Sequence, residues 1–238
     1  MGPGVDPHLY KPTSGDAARL SGAAAIFYNG LHLEGRMAGL FEKLAGSGRT
    51  VVALGAAVPE DRLLRPEGFD GHFDPHIWLD PGLWGLTVPA VVEGLVTADP
   101  AGRAYYEERG RAVVAELTAL DAWCREMAAK VPPGDRILVT SHDAFGYFGR
   151  AYGFKVVGLQ GVSTVSEAAL ADVASLVDFL REKNVRAIFV ESSVNPAAIR
   201  RVAEDAGVVV GGELFSDAMG SPGEIKDGLD TGTYSGMV

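Results

Sequence analysis

The chain has 238 residues, of which 47% are hydrophobic and 22% charged, and this composition excludes a low-complexity or globally disordered protein. Lys and Arg number 21 against 31 Asp and Glu, and the resulting net charge of −10 argues against a nucleic-acid partner bound through a basic surface. The single cysteine, Cys124, permits neither an intrachain disulfide nor a zinc cluster made of thiolates.

Short hydrophobic runs alternate along the chain with amphipathic helical segments, which is the pattern of an α/β fold. The runs are almost wholly apolar and are bounded by polar residues or glycine, as in parallel strands covered on both faces. The predicted strands are residues 25–28, 50–54, 136–140, 155–159, 187–190 and 207–210. The clearest helix is predicted to begin at Thr164, where Glu167 completes a capping box before an apolar face.

One predicted helix is much longer than the others. A helical period of apolar residues from Tyr105 to Met127 predicts roughly 25 helical residues, about 38 Å in length, ended by a Pro-Pro-Gly triplet. This helix separates two α/β segments, and we interpret it as a connector. We therefore expect an N-terminal lobe at 1–98, a connecting helix at 99–132 and a C-terminal lobe at 133–238.

Three of the five histidines stand beside carboxylates at turns or strand ends. The tripeptide Asp-Pro-His occurs twice, ending at His8 and at His76, and the fixed φ of proline restricts the direction of the next side chain. His142 and Asp217 each follow a predicted strand, at the carboxyl end where open α/β sheets bind ligands. Imidazole with carboxylate suits a first-row divalent metal, but sequence spacing leaves both a metal site and separate hydrogen-bonded histidines open.

Six short segments follow one another in an order that spans the chain. They are residues 4–8 (GVDPH), 28–31 (YNGL) with 33–34 (LE), 76–81 (HIWLDP), 142–147 (HDAFGY), 161–164 (GVST) and 214–217 (LFSD). Together they resemble the metal-binding receptors of ABC importers, the zinc/manganese solute-receptor family, and within it the TroA-like branch.

This resemblance implies two α/β lobes joined by one long rigid helix, with a metal site in the cleft between the lobes. By matching motif, the expected ligands are His8 and His76 from the first lobe, and His142 and Asp217 from the second. The implied function is capture of Zn²⁺ or Mn²⁺ as transported ligand and its delivery to the membrane permease of an ABC importer, without catalysis. The implied protein is a monomer that is periplasmic or a cell-surface lipoprotein.

Against the family pattern, the chain is expected to lack a signal segment, the first strand and helix of the N-terminal lobe, and the last helix of the C-terminal lobe. Many zinc receptors also carry a long His-rich loop where residues 59–74 hold only His72. We interpret His72 and His32 as loop residues outside the set of ligands.

Two other functions remain possible at this stage. A metal-dependent hydrolase could use the same three histidines and one aspartate, with Glu191 or Asp143 as general base beside an open coordination position. A receptor for a metal chelate could use the same two-lobed plan, but it would not need four converging side chains.

Overall fold

The computed structural model describes residues 2–69 and 71–238 and has the expected α/β architecture. The described helices are α1 (Ser14–Gly22), α2 (Ala38–Gly46), α3 (Pro81–Trp84), α4 (Val88–Ala98), α5 (Arg103–Ala129), α6 (Gly146–Tyr152), α7 (Leu170–Glu182), α8 (Ala197–Ala206) and α9 (Tyr234–Met237). The described strands are β1 (Ala25–Tyr28), β2 (Thr50–Ala53), β3 (Ile137–His142), β4 (Lys155–Gln160), β5 (Ala187–Glu191), β6 (Val209–Leu214), β7 (Ile225–Lys226) and β8 (Leu229–Asp230). Two α/β lobes thus lie on either side of α5.

The first lobe is built around the parallel pair β1–β2, in which Ala25 lies opposite Thr50. Helix α4 packs against both strands and along α5. The close approach of α4 to β1 depends on Gly94, because a Cβ atom at this position would lie only 2.7 Å from the ring of Phe27. By length and composition alone the helical run Pro81–Ala98 could cross a membrane, a test that core helices also pass.

The second lobe contains two parallel pairs, β3–β4 and β5–β6, and β3 also lies alongside β5. Helices α7 and α8 cover these strands. Val139 of β3, Ile188 of β5, Leu180 of α7 and Val202 of α8 are fully buried together in one hydrophobic core. Because parallel strands end at the same edge, this core places the last residues of β3 and β5 next to each other.

Helix α5 has 27 residues and therefore extends about 40 Å, as its apolar period predicted. The lobes also meet directly in a hydrophobic cluster, which we call the interlobe cluster. It contains Leu33, Trp78 and Leu79 from the first lobe and Leu138, Ala144 and Phe145 from the second. The side chains of α9 pack on this cluster, and the Tyr234 hydroxyl donates a hydrogen bond of 2.5 Å to the carbonyl of Trp78.

Two local predictions were wrong. Helix α7 begins at Leu170 rather than at Thr164, because the carboxylate of Asp172 accepts the backbone N–H of Ala169 and caps the helix there. The last parallel strand begins two residues later than predicted, because Gly207 adopts a left-handed φ of +73° that terminates α8.

Candidate metal centre

The four side chains predicted as ligands converge at the cleft between the lobes. His8 and His76 reach it from the two Asp-Pro-His turns, His142 from the end of β3 and Asp217 from the loop after β6. One donor atom from each lies within 4.8 Å of every other. Nε2 of His76 lies 3.4 Å from Nε2 of His8 and 3.3 Å from Nε2 of His142. The two carboxylate oxygens of Asp217 lie 3.3 Å from Nε2 of His76 and of His142, respectively.

These separations have a simple coordination geometry. When donors lie about 2.0–2.1 Å from a tetrahedral ion, neighbouring donor atoms are about 3.3–3.4 Å apart. The measured distances between the imidazole nitrogens and the Asp217 oxygens match that spacing. These four contacts have the spacing of neighbouring ligands around one ion, and one donor atom from each residue of this cage lies within 4.8 Å of every other.

Burial makes the charge on these groups costly unless a cation or protons balance it. The side chains of His76, His142 and Asp217 have no exposed surface, and Oδ1 of Asp217 accepts no well-formed hydrogen bond within the described residues. Burial alone would raise the pKa of Asp217, but the positive charges of His142 and His76 hold it well below its ordinary value. A fully ionised, incompletely bonded carboxylate in this position favours a cation.

The protonation of the three imidazoles differs. Burial lowers the pKa of His8 to about 3. Burial would lower the other two as well, but the negative charge of Asp74 and hydrogen bonding to Asp217 raise the pKa of His76 to about 9. The charge of Asp217 similarly holds the pKa of His142 well above its ordinary value. At neutral pH the metal-free cage therefore holds protons on the histidines that flank Asp217.

Two further carboxylates hold the central histidines in place, one from each lobe. Asp74 Oδ1 lies 2.7 Å from Nδ1 of His76 and accepts the backbone N–H of the same residue at 2.9 Å. Glu191, at the end of β5, lies 2.5 Å from Nδ1 of His142 and accepts its backbone N–H at 2.8 Å. Because each carboxylate lies against Nδ1, Nε2 of that ring is directed at the centre, where a metal can bind it after displacing its proton.

His8 is held differently. Asp6 Oδ1 accepts the backbone N–H of His8 at 2.8 Å, so both Asp-Pro-His tripeptides form the same turn. The other oxygen of Asp6 accepts the hydroxyl of Thr164 at 2.6 Å, which joins the first lobe to the second. The indole N–H of Trp78 makes a second such bond, to the carbonyl of Ser216 at 2.8 Å.

The sequence thus indicated all four residues of the cage, but few of the residues that hold them in place through hydrogen bonds and ion pairs. The strand-end position of Glu191 suggests a supporting or ion-pairing group as well as the general base of the hydrolase alternative, and the sequence alone did not assign it to His142. No local sequence pattern indicates the hydrogen bonds of Thr164 and Trp78, because each joins residues more than 130 positions apart. His32 and His72 lie outside the cage, as expected.

A buried donor cage between two α/β lobes that are joined by a helix defines a two-lobed ligand-binding protein. Over residues 1–238 the chain matches the family described as zinc-uptake complex component A, periplasmic. It is 49% identical to the zinc-binding protein TroA of Treponema pallidum (strain Nichols), over 100% of this chain and 76% of the relative. It is 44% identical to the manganese-binding lipoprotein MntA of Bacillus subtilis (strain 168), over 100% of this chain and 77% of the relative.

A solved structure of the periplasmic zinc-binding protein TroA from Treponema pallidum has the same fold. Its TM-score is 0.92 at 46% identity, covering 100% of this chain and 84% of the other. The chain belongs to the family of periplasmic zinc-uptake components, the solute receptors of metal ABC importers. The resemblance seen in its six motifs is therefore confirmed.

We predict that Glu191→Gln weakens metal binding by roughly 10–100-fold, because an amide supports His142 less well than a carboxylate does. The fold should be unaffected, since the substituted side chain keeps its size. The measurement is a Zn²⁺ titration of metal-free protein by calorimetry. Glu167→Gln, at an exposed loop residue, is the matched control, and an equal effect of the two substitutions would contradict the role given to Glu191.

We also predict that metal binding releases protons and strengthens as pH rises towards about 9. The pKa of His76 is raised to about 9 by Asp74 and Asp217, and that of His142 is raised well above its ordinary value by Asp217, so protons occupy these rings at neutral pH and a metal must displace them. Calorimetric titrations near pH 7, in buffers of different ionisation enthalpy, should show release of roughly one to two protons per ion. A heat of binding that is independent of the buffer would contradict this prediction.

Proposed function

We propose that this protein captures Zn²⁺ or Mn²⁺ with His8, His76, His142 and Asp217 and delivers the ion to the membrane permease of an ABC importer. The observation that carries the proposal is the mutual spacing of 3.3–3.4 Å among neighbouring donors supplied by both lobes. The two relatives named above, one zinc-binding and one manganese-binding, support the same pair of metals.

The protein would act outside the cytoplasmic membrane, as a periplasmic protein or a surface lipoprotein, and as a monomer. The family's description as periplasmic and the lipoprotein relative support this location. We propose that 1–98 and 133–238 form the two lobes and that 99–132 forms the connector. The 27 residues of α5 within that connector support this division.

We infer that the ion is carried and not used in catalysis. Four protein ligands complete a tetrahedral shell, whereas catalytic zinc sites keep one position open for water. Both carboxylate oxygens of Glu191 face His142, which leaves this residue unsuited to activate a water molecule. The absence of exposed surface on His76, His142 and Asp217 also favours a bare ion over a bulky chelate.

The decisive test is the removal of the only anionic member of the cage. Asp217→Asn keeps the size of the side chain but removes its charge, and we expect metal affinity to fall by more than the roughly 100-fold that loss of a supporting residue causes. Calorimetry of metal-free protein measures this change. Asp227→Asn, in an exposed turn at φ +52° that Asn tolerates, is the control. Unchanged affinity in Asp217→Asn would refute the proposed ligand set.

We predict that the isolated protein binds Zn²⁺ more tightly than Mn²⁺, whichever ion it carries in the cell. Three imidazole nitrogens and one carboxylate at tetrahedral spacing suit zinc, and the general affinity order places Zn²⁺ above Mn²⁺ for such donors. A competition titration with both ions measures the ratio of the two dissociation constants. A tighter constant for Mn²⁺ would mean that additional oxygen donors enter the shell.

A further inference from the structure

Helix α6 of the second lobe carries one side chain into the core of the first lobe. Tyr147 lies in the first turn of α6 and has no exposed surface. Its ring packs with Val58, Ile77 and Leu83 in a hydrophobic cluster whose other described members all come from the first lobe. Because a buried tyrosine hydroxyl needs hydrogen-bond partners, the first lobe has to supply them.

The hydroxyl of Tyr147 makes two hydrogen bonds, both to the loop that precedes His76. It donates to the backbone carbonyl of Asp74 at 2.8 Å and accepts the backbone N–H of Leu64 at 3.0 Å. The N–H of Asp74 in turn donates to the carbonyl of Leu64 at 2.9 Å. Residues opposite each other in antiparallel strands exchange two backbone hydrogen bonds, whereas here the hydroxyl stands between the second pair of groups. The backbone pairing of this loop is therefore completed by the other lobe.

These contacts act on the cage through Asp74, which holds the ring and the backbone N–H of His76. The position of the Asp74 backbone therefore determines where its carboxylate lies, and with it Nε2 of His76. That nitrogen lies 3.3–3.4 Å from a donor atom of each of the other three residues of the cage. A displacement of His76 would consequently change three of the spacings in the cage at once.

The approach of α6 to Asp74 requires a glycine immediately before Tyr147. A Cβ atom at Gly146 would lie 2.9 Å from Oδ2 of Asp74 and 3.2 Å from the side chain of Leu64. The same short segment begins with His142, a member of the cage from the second lobe. Residues 142–147 thus carry one histidine of the cage and also the contacts that hold the turn of another.

We propose that Tyr147 is a positioning residue of the metal site: through its hydroxyl, α6 of the second lobe sets the place of His76 in the first lobe and hence the spacing of the cage. The inference rests on the proposed function, since this role exists only if the cage binds the ion. A fixed tetrahedral spacing favours Zn²⁺ over Mn²⁺, because an ion that takes more ligands requires the donors to move apart. Tyr147 therefore contributes to the preference between the two ions as well as to affinity.

The test is the substitution Tyr147→Phe, which removes only the hydroxyl. The N–H of Leu64 and the carbonyl of Asp74 then lose their shared partner, and they can bond each other only if the backbone of Asp74 moves. In calorimetric titrations of the metal-free full chain, we expect the affinity for Zn²⁺ to fall roughly 10–100-fold, as for other residues that hold a metal ligand in place. The affinity for Mn²⁺ should fall by a smaller factor, so the ratio of the two dissociation constants should narrow.

Tyr152→Phe, on the same helix, is the matched control. The Tyr152 side chain is also buried, and its hydroxyl donates a hydrogen bond of 3.0 Å to Oδ1 of Asp121 on α5, away from the cage. This substitution removes the same group and one hydrogen bond, and it should leave both affinities unchanged. A similar loss of Zn²⁺ affinity in Tyr152→Phe, or an equal loss for Zn²⁺ and Mn²⁺ in Tyr147→Phe, would indicate a general loss of stability and overturn the proposal.

Gly146→Ala tests the same link if thermal unfolding shows that Tyr147→Phe does not fold. It keeps the hydroxyl but places a Cβ atom against the carboxylate of Asp74, and we expect Zn²⁺ affinity to fall at least about tenfold. Gly134→Ala, where a Cβ atom would meet nothing within 4 Å, is its control and should bind as the wild type does.

The same titrations separate this inference from the proposed function. If the wild type and Tyr152→Phe do not bind Zn²⁺, the proposed function fails and this inference fails with it. If the wild type binds Zn²⁺ and folded Tyr147→Phe binds it equally well, only the positioning role is refuted. Unchanged affinity in Gly146→Ala would likewise refute the positioning role alone.

Discussion

The structure depends on the close approach of three imidazole nitrogens and a carboxylate in a place that water does not reach. Uncompensated lone pairs 3.3–3.4 Å apart repel one another, so the cage holds its shape only around a cation or around protons. Because two donors come from each lobe, the same positive charge that satisfies the cage also joins the lobes. An ion bound in the cage would therefore hold the two lobes together.

Each lobe supplies one carboxylate that holds one histidine of the cage, and the two arrangements are nearly the same. Asp74 fixes His76 in the first lobe, and Glu191 fixes His142 in the second, each through one ring nitrogen and the backbone N–H. These anions also raise the proton affinity of the rings that they hold. The site is consequently preorganised for metal but has to exchange protons to bind it, which links affinity to pH.

The sequence predicted the α/β class, the long helix and the four converging residues, because each has a local signature or belongs to a recognisable motif. Apolar periodicity, with no Gly or Pro between Arg111 and Lys130, indicated α5, and strand-end position indicated His142. The start of α7 was missed because Thr164 offers a helix cap in sequence but bonds Asp6 in the fold. The hydrogen bond from Tyr147 to Asp74 could not be predicted either, since no local pattern connects α6 to a turn 73 residues earlier.

Trp78 sets a limit on how the cleft can open. Its indole is packed in the interlobe cluster, and its N–H holds the carbonyl immediately before Asp217. A wide hinge motion would bring a large aromatic surface into water, at a cost that grows with the area exposed. A shift confined to the loop after β6 would instead withdraw the carboxylate alone and leave three neutral donors around the ion. Release of the ion should therefore cost less free energy when the Asp217 carboxylate alone moves away than when the two lobes separate.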